Sequence, residues 1–209
     1  MAAGTLPRLA SALRRGRPRS PAAHQAILTA ARELLIEEGF AGLRLEHVAA
    51  RARVGKATIY RRWASKEELA QELLGGLAEP HIAVEETGNT REDLLSLVVN
   101  PMRAVTETDF GPVIRALLSQ IALNPALGDP FRETVVRARR EEVGRVVAQG
   151  IARGDIRADA DAELATELLV GPVYFRLMFG GELDLVFARR VVDSVMRGFA
   201  ATEEARPAG

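Results

Sequence analysis

The chain has no cysteine among its 209 residues. That excludes disulfides, thiolate metal sites and thiol redox chemistry, and makes a reducing cytoplasm the expected compartment. No apolar run approaches the length needed to cross a bilayer, and the basic N-terminus has no continuous apolar stretch of the secretory kind, so no membrane partner is expected. His24, His47 and His81 stand apart from one another, without metal-ligand spacing. His81 and Glu85, four apart, read as a surface pair sooner than as ligands. No glycine-rich phosphate loop, nucleophile elbow or pair of catalytic carboxylates can be picked out, so neither an enzyme nor a cofactor is expected. No strand is expected either.

Charge is present but segregated. The formal net charge is zero, yet residues 1–66 hold 13 Lys and Arg against 4 Asp and Glu, and the remainder 15 against 24. A net +9 confined to one small segment points to a polyanion-binding end and a solvated acidic end, rather than to uneven surface charge. Only two lysines occur, Lys56 and Lys66, both in the basic part.

Residues 1–20 are rich in Ala, Gly, Pro, Ser and Arg without periodicity and read as a disordered basic arm. Within it Arg15-Gly16-Arg17-Pro18 resembles an AT-hook core, which would lay Arg15 and Arg17 in an A·T-rich minor groove. A flexible tail touching phosphates unspecifically fits the same residues. From Pro21 the pattern turns helical: Ile27, Leu28, Ala31, Leu34 and Leu35 share a face over about 22–38, with Gly39 as the stop. Leu45, Val48 and Ala49 make a short second helix over about 45–52. A tight turn at Val54 leads to the run Lys56–Trp63, where Ile59 and Trp63, four apart, face inward and Lys56, Thr58, Tyr60, Arg61 and Arg62 point outward. This is the helix-turn-helix pattern, and such a cationic, hydroxyl-bearing face suits phosphates and base edges in a major groove. Ser65-Lys66-Glu67-Glu68 is a capping box that opens a fourth helix.

On the block from Leu45 to Leu69, with the helix before it, the chain resembles the TetR family of bacterial transcriptional regulators. The resemblance covers about residues 22–75 by motif and the rest by helix number and character. It implies an all-α fold of about nine helices. An N-terminal three-helix helix-turn-helix DNA-binding domain (21–66) would precede a larger helical ligand-binding and dimerisation domain (67–201), with a loose tail at 202–209. Lys56, Ala57 and Thr58 would enter the major groove, while Arg44, Tyr60, Arg61, Arg62 and Lys66 would hold phosphates. Three positions depart from the family's habit. Arg44 stands where a capping Thr is common, and Arg53 replaces a customary turn Gly and must accept an unfavourable φ or shift the turn. Gly55 stands where Ser is common, a tolerable N-cap that brings backbone N–H groups near a phosphate.

Five further helices are expected. Asn89 and Thr90 cap the fifth, which Pro101 kinks or divides; Asp109 opens the sixth. Asp129-Pro130 opens a seventh that closes at Gly154. The eighth spans about 161–179, and the ninth about 184–201 after Gly180-Gly181. Paired with their two-fold mates, the last two would form a homodimer interface through Leu168, Phe179, Phe187, Val191, Val195 and Phe199, unless those residues fill the monomer's own core. The resemblance implies a cavity for a small apolar ligand, with Met102, Val105, Phe110, Leu117, Ile121, Phe131, Val135, Phe175 and Met178 as candidate lining. Each of these is also what any helical core requires. The function that follows is a sequence-specific DNA-binding regulator, a repressor released by ligand from a double-stranded inverted-repeat operator. The alternative is an all-helical small-molecule-binding protein with unspecific affinity for nucleic acid or anionic membrane. An activator would look the same in sequence.

Overall fold

The computed structural model describes residues 21–78 and 86–201; the basic arm with Arg15 and Arg17, the segment holding His81 and Glu85, and the tail lie outside the described residues. Helical period and capping chemistry account for most of the elements. Pro21 opens α1 (Pro21–Gly42), which buries Ile27, Ala31, Leu34 and Leu35. At Gly39 the backbone leaves the helix with φ 68° and ψ −179°, a conformation that glycine tolerates and a Cβ does not, so the regular rod ends at the expected stop. The short α2 (Leu45–Arg51) and α3 (Lys56–Tyr60) follow. Then α4 (Lys66–Ala78) starts on a modified capping box: the Glu68 N–H donates to the Ser65 hydroxyl at 3.2 Å, and the Glu68 carboxylate takes the Ala64 N–H at 2.7 Å.

Asn89 caps α5 (Thr90–Glu107) by accepting from the Arg91 and Glu92 N–H groups; Pro101 lies inside this helix without dividing it. After α6 (Phe110–Leu123) comes one helical run in three parts: α7 (Pro125–Phe131), a π-helical segment (Arg132–Val136) and α8 (Arg137–Arg153). This run opens five residues before the expected Asp129-Pro130, because the Asn124 carboxamide accepts the Ala126 N–H at 3.0 Å and Pro125 fits the first turn. Pro130 therefore falls inside a helix. It has no N–H to give the Ala126 carbonyl one turn back, and the Gln71 amide, reaching across from α4, donates to that carbonyl instead. The backbone widens to π geometry immediately afterwards. Gly154 closes α8 in the left-handed conformation, φ 79°. Asp161 caps α9 (Ala162–Phe179) and Asp184 caps α10 (Leu185–Phe199). Among the described residues there is no strand, only an isolated bridge between Ile156 and Ala200.

One contiguous buried cluster runs through all of these helices. The helix-turn-helix part is joined to the larger part by packing, α1 against α6 and α4 against α7, and by the Arg32–Asp109 ion pair at 2.9 Å. On the far side α10 lies along α5, tied by Arg91 to Asp193 at 2.7 Å.

Candidate nucleic-acid interface and ligand cavity

The five-residue α3 is held by its inner residues. Ile59 is fully buried and Trp63 nearly so. Past the last assigned helical residue the Trp63 N–H still reaches the Ile59 carbonyl at 3.0 Å, so the run Lys56–Trp63 keeps a helical course. The Trp63 ring stacks on His24 of α1 (centroids 5.5 Å, planes 13° apart) and its Nε1–H donates to Glu72 of α4 at 2.7 Å. Glu72 also meets His24 Nε2 at 3.0 Å. Two helices, α1 and α4, thus grip the base of α3. On its other side Lys56 and Ala57 are exposed and Thr58 is half-buried.

The turn between α2 and α3 adopts the strained alternative foreseen for Arg53: φ is 54°, the one positive φ at a non-glycine among the described residues. Left-handed backbone at such a residue costs on the order of 1 kcal/mol. Arg53→Gly should therefore raise the melting temperature by roughly 2–4 °C in a protein of this size. A thermal scan showing no rise, or a fall, would mean that the guanidinium stabilises the turn.

The expected phosphate contacts divide. Arg44, at the N-cap of α2, and Arg61, at the C-cap of α3, are exposed. Arg62 lies 6.0 Å from the Trp63 ring centroid, a cation–π distance. Tyr60 and Lys66 are engaged within the chain. The Tyr60 hydroxyl donates to Glu46 of α2 at 2.5 Å; this bond holds the Glu46 carboxyl below its usual range and pushes the phenol up. A phenol whose one O–H is directed at a carboxylate has no donor left for a phosphate, so Tyr60 couples α2 to α3. The Lys66 ammonium donates to the Phe40 carbonyl at 2.9 Å and sits 4.2 Å from the centre of the Phe40 ring, closing the end of α1 and leaving two of its three N–H donors. Gly55 caps α3 at φ −68°, a value open to any residue, and an added Cβ there would meet nothing closer than 4.0 Å.

In the larger part a cavity of about 260 Å³ lies between α5, α6, α8, α9 and the π segment. Phe110, Phe131 and Val135 line it as expected, together with Pro101, Leu118, Val170 and Tyr174. Met102, Val105, Leu117 and Ile121 do not: they are packed into the surrounding core. Phe175 and Met178 point the other way, 64% and 45% exposed on the outer face of α9. Arg139 of α8 was missed by sequence reasoning, though it is 8% exposed and on the cavity wall. Its signal was available, since it stands four residues from Val135 and four from Val143, in a series that otherwise faces inward. Phe131 and Val135 also border a second cleft of about 620 Å³, whose opposite wall is α4 through Gln71, Glu72 and Leu74.

The outer apolar face also differs from expectation. Phe187, Val195 and Phe199 are buried in their own chain, because α10 turns its apolar stripe onto α5; Val191 is half-buried. The exposed apolar residues instead run down α9, Leu164, Leu168, Phe175 and Phe179 at spacings of four, seven and four, and continue into Leu185 and Val186. Of the residues expected at a dimer interface, Leu168 and Phe179 lie on this exposed face.

Residues 27–73 match the family model described as bacterial regulatory proteins, tetR family, and residues 84–195 the model of a tetracyclin repressor-like C-terminal domain. Over 190 residues the chain is 33% identical to an uncharacterized HTH-type transcriptional regulator, YdeS, of Bacillus subtilis (strain 168), covering 90% of this chain and 96% of that one. It is 30% identical over 186 residues to the DNA-binding transcriptional repressor TetR of Mycobacteroides abscessus, covering 87% and 94%. Among solved structures, the TetR family transcription regulator SCO0332 superposes with a TM-score of 0.65 at 30% identity, over 85% of this chain and 98% of that one.

Proposed function

Because the chain belongs to the TetR family and is a helix-turn-helix transcriptional regulator, we propose that it acts as a homodimeric repressor of an inverted-repeat operator and is released by a small apolar ligand. The observation that carries the DNA-binding part is the orientation of α3. Its apolar residues are locked by α1 and α4 while Lys56 and Ala57 are exposed and Thr58 half-exposed at its N-terminal end, where recognition helices touch base edges. Arg44 and Arg61 would take flanking phosphates, Lys66 would add its remaining N–H donors, and Arg15 and Arg17 would follow the minor groove. One copy reads too few base pairs for specificity. Two copies joined through the exposed face of α9 would read half-sites about 34–36 Å apart.

Release would run through the wall that the cavity shares with the cleft beside α4. A ligand seated against Phe131 and Val135 displaces side chains that also face Gln71 and Glu72. Gln71 holds α7 through the Ala126 carbonyl, and Glu72 holds Trp63 at the base of α3. Such a ligand acts only by its differential affinity for the two arrangements, about 10⁴-fold for a shift from 1:99 to 99:1.

A gel-shift titration on the DNA upstream of the gene, chosen for an inverted repeat and set against random duplex, tests the proposal. Specific binding should exceed unspecific binding by about 10³ or more at physiological salt. Equal affinities would favour the reading as an unspecific polyanion binder.

A further inference from the structure

Among the described residues the cavity wall is hydrocarbon but for the side chains of Arg139, Thr166 and Tyr174. Two of these are committed. The Thr166 hydroxyl donates to the Ala162 carbonyl of its own helix at 2.9 Å, and the Arg139 guanidinium is already engaged within the chain. Tyr174 of α9 differs, because its hydroxyl makes no hydrogen bond to any described residue. Burial pushes this phenol above its ordinary value, only partly offset by the Arg139 cation, so the oxygen keeps its proton. A cation on one side of that oxygen turns the proton the other way. What remains is one buried donor without an acceptor, which is costly until something supplies one. A carboxylate is the wrong supplier, since it would have to shed its hydration where the described wall offers no uncommitted cation. An alkane leaves the O–H as it was.

We infer that the cavity selects a compact uncharged molecule with one accepting oxygen, a ketone, aldehyde or ester, held by the Tyr174 O–H, with its hydrocarbon body against Phe110, Leu118, Phe131 and Val170. This rests on the ligand-responsive reading above and gives its apolar ligand one polar atom at one place. At about 260 Å³, the space falls just below the roughly 300–1,000 Å³ of sites for drug-sized molecules, which suits a body of about ten carbons.

The test is calorimetric titration of the full-length protein, without DNA, with acetophenone, 1-tetralone and 4-phenyl-2-butanone, each beside the hydrocarbon that has a methylene in place of the carbonyl, and with 4-phenylbutyrate as the charged comparison. The members of a pair differ in hydration, so the readout is the change in their affinity ratio on Tyr174→Phe, from which that difference cancels. For at least one pair the ketone-to-hydrocarbon ratio should fall about fivefold or more, while the hydrocarbon binds the variant as well as before or better. The unliganded variant should melt no lower than the unaltered protein, since the hydroxyl it loses has no partner to leave behind. A clearly lowered melting temperature would give that hydroxyl a structural role and overturn the inference. So would the failure of every ketone to bind, a ratio that Tyr174→Phe leaves unchanged, or 4-phenylbutyrate binding more tightly than 4-phenyl-2-butanone. A ketone that binds through Tyr174 yet leaves the operator complex intact sinks the release mechanism alone. A hydrocarbon that frees the DNA as readily as its ketone sinks the acceptor selectivity alone.

Discussion

Replacing Phe175 and Phe179 together by glutamate should give a folded monomer that no longer holds an operator. Both rings lie on the outer face of α9, 64% and 77% exposed, and touch each other at 5.0 Å between centroids. Their removal costs the single chain little, since exposed substitutions usually change stability by about 0.5 kcal/mol or less. The dimer is another matter. A two-fold interface counts every substitution twice, so four rings are lost, and at about 1.5 kcal/mol or more for each buried ring the association weakens by on the order of 6 kcal/mol. That is more than four powers of ten in the dissociation constant, before the repulsion among four carboxylates is added. Analytical ultracentrifugation reads the outcome directly. A variant that stays dimeric would move the interface off α9, and a monomer that still binds the inverted repeat at full affinity would remove the need for two copies.

Trp63→Ala should have the largest effect on stability. The ring is 3% exposed, stacks on His24 and donates to Glu72, so its truncation leaves a cavity among three helices and a carboxylate short of a donor. Truncations of buried tryptophan cost about 3–5 kcal/mol, and here the void opens directly under α3. Denaturation followed by circular dichroism should show a loss of that size, with operator binding abolished at temperatures where the remaining helices persist. Trp63→Phe keeps a stacking ring and should lose far less. A loss below about 1 kcal/mol for Trp63→Ala would mean that α3 is seated by Ile59 alone. Since the chain has a single tryptophan, its fluorescence in the unaltered protein reports this one seat.

The helix-turn-helix was readable from sequence because its signals agree: Ile59 and Trp63 one turn apart, a capping serine at 65, glycine at 39. The outer helices were less so, for a definable reason. In α9 one face buries Leu169, Val173 and Leu177 while another exposes Leu164, Leu168, Phe175 and Phe179. Helical period marks both faces as apolar and cannot say which one the chain itself covers. In α10 the period is clean, but it does not name the partner, which is α5. The cavity was the least legible feature. Met102 and Leu117 have the same spacing and chemistry as Phe110 and Phe131, and only packing decides which of them borders a gap. A charge such as that of Arg139 ordinarily marks a solvated position, and only its place between Val135 and Val143 sets it on the inward face.

The bond between Gln71 and the Ala126 carbonyl, which takes the place of the donor that Pro130 lacks, ties two positions 59 residues apart in sequence. Its acceptor belongs to the main chain, so a change of side chain at 126 leaves the tether intact. The pair that matters is a distant one: with an N–H restored by Pro130→Ala, the carbonyl can return to its own helix and the Gln71 amide loses its acceptor.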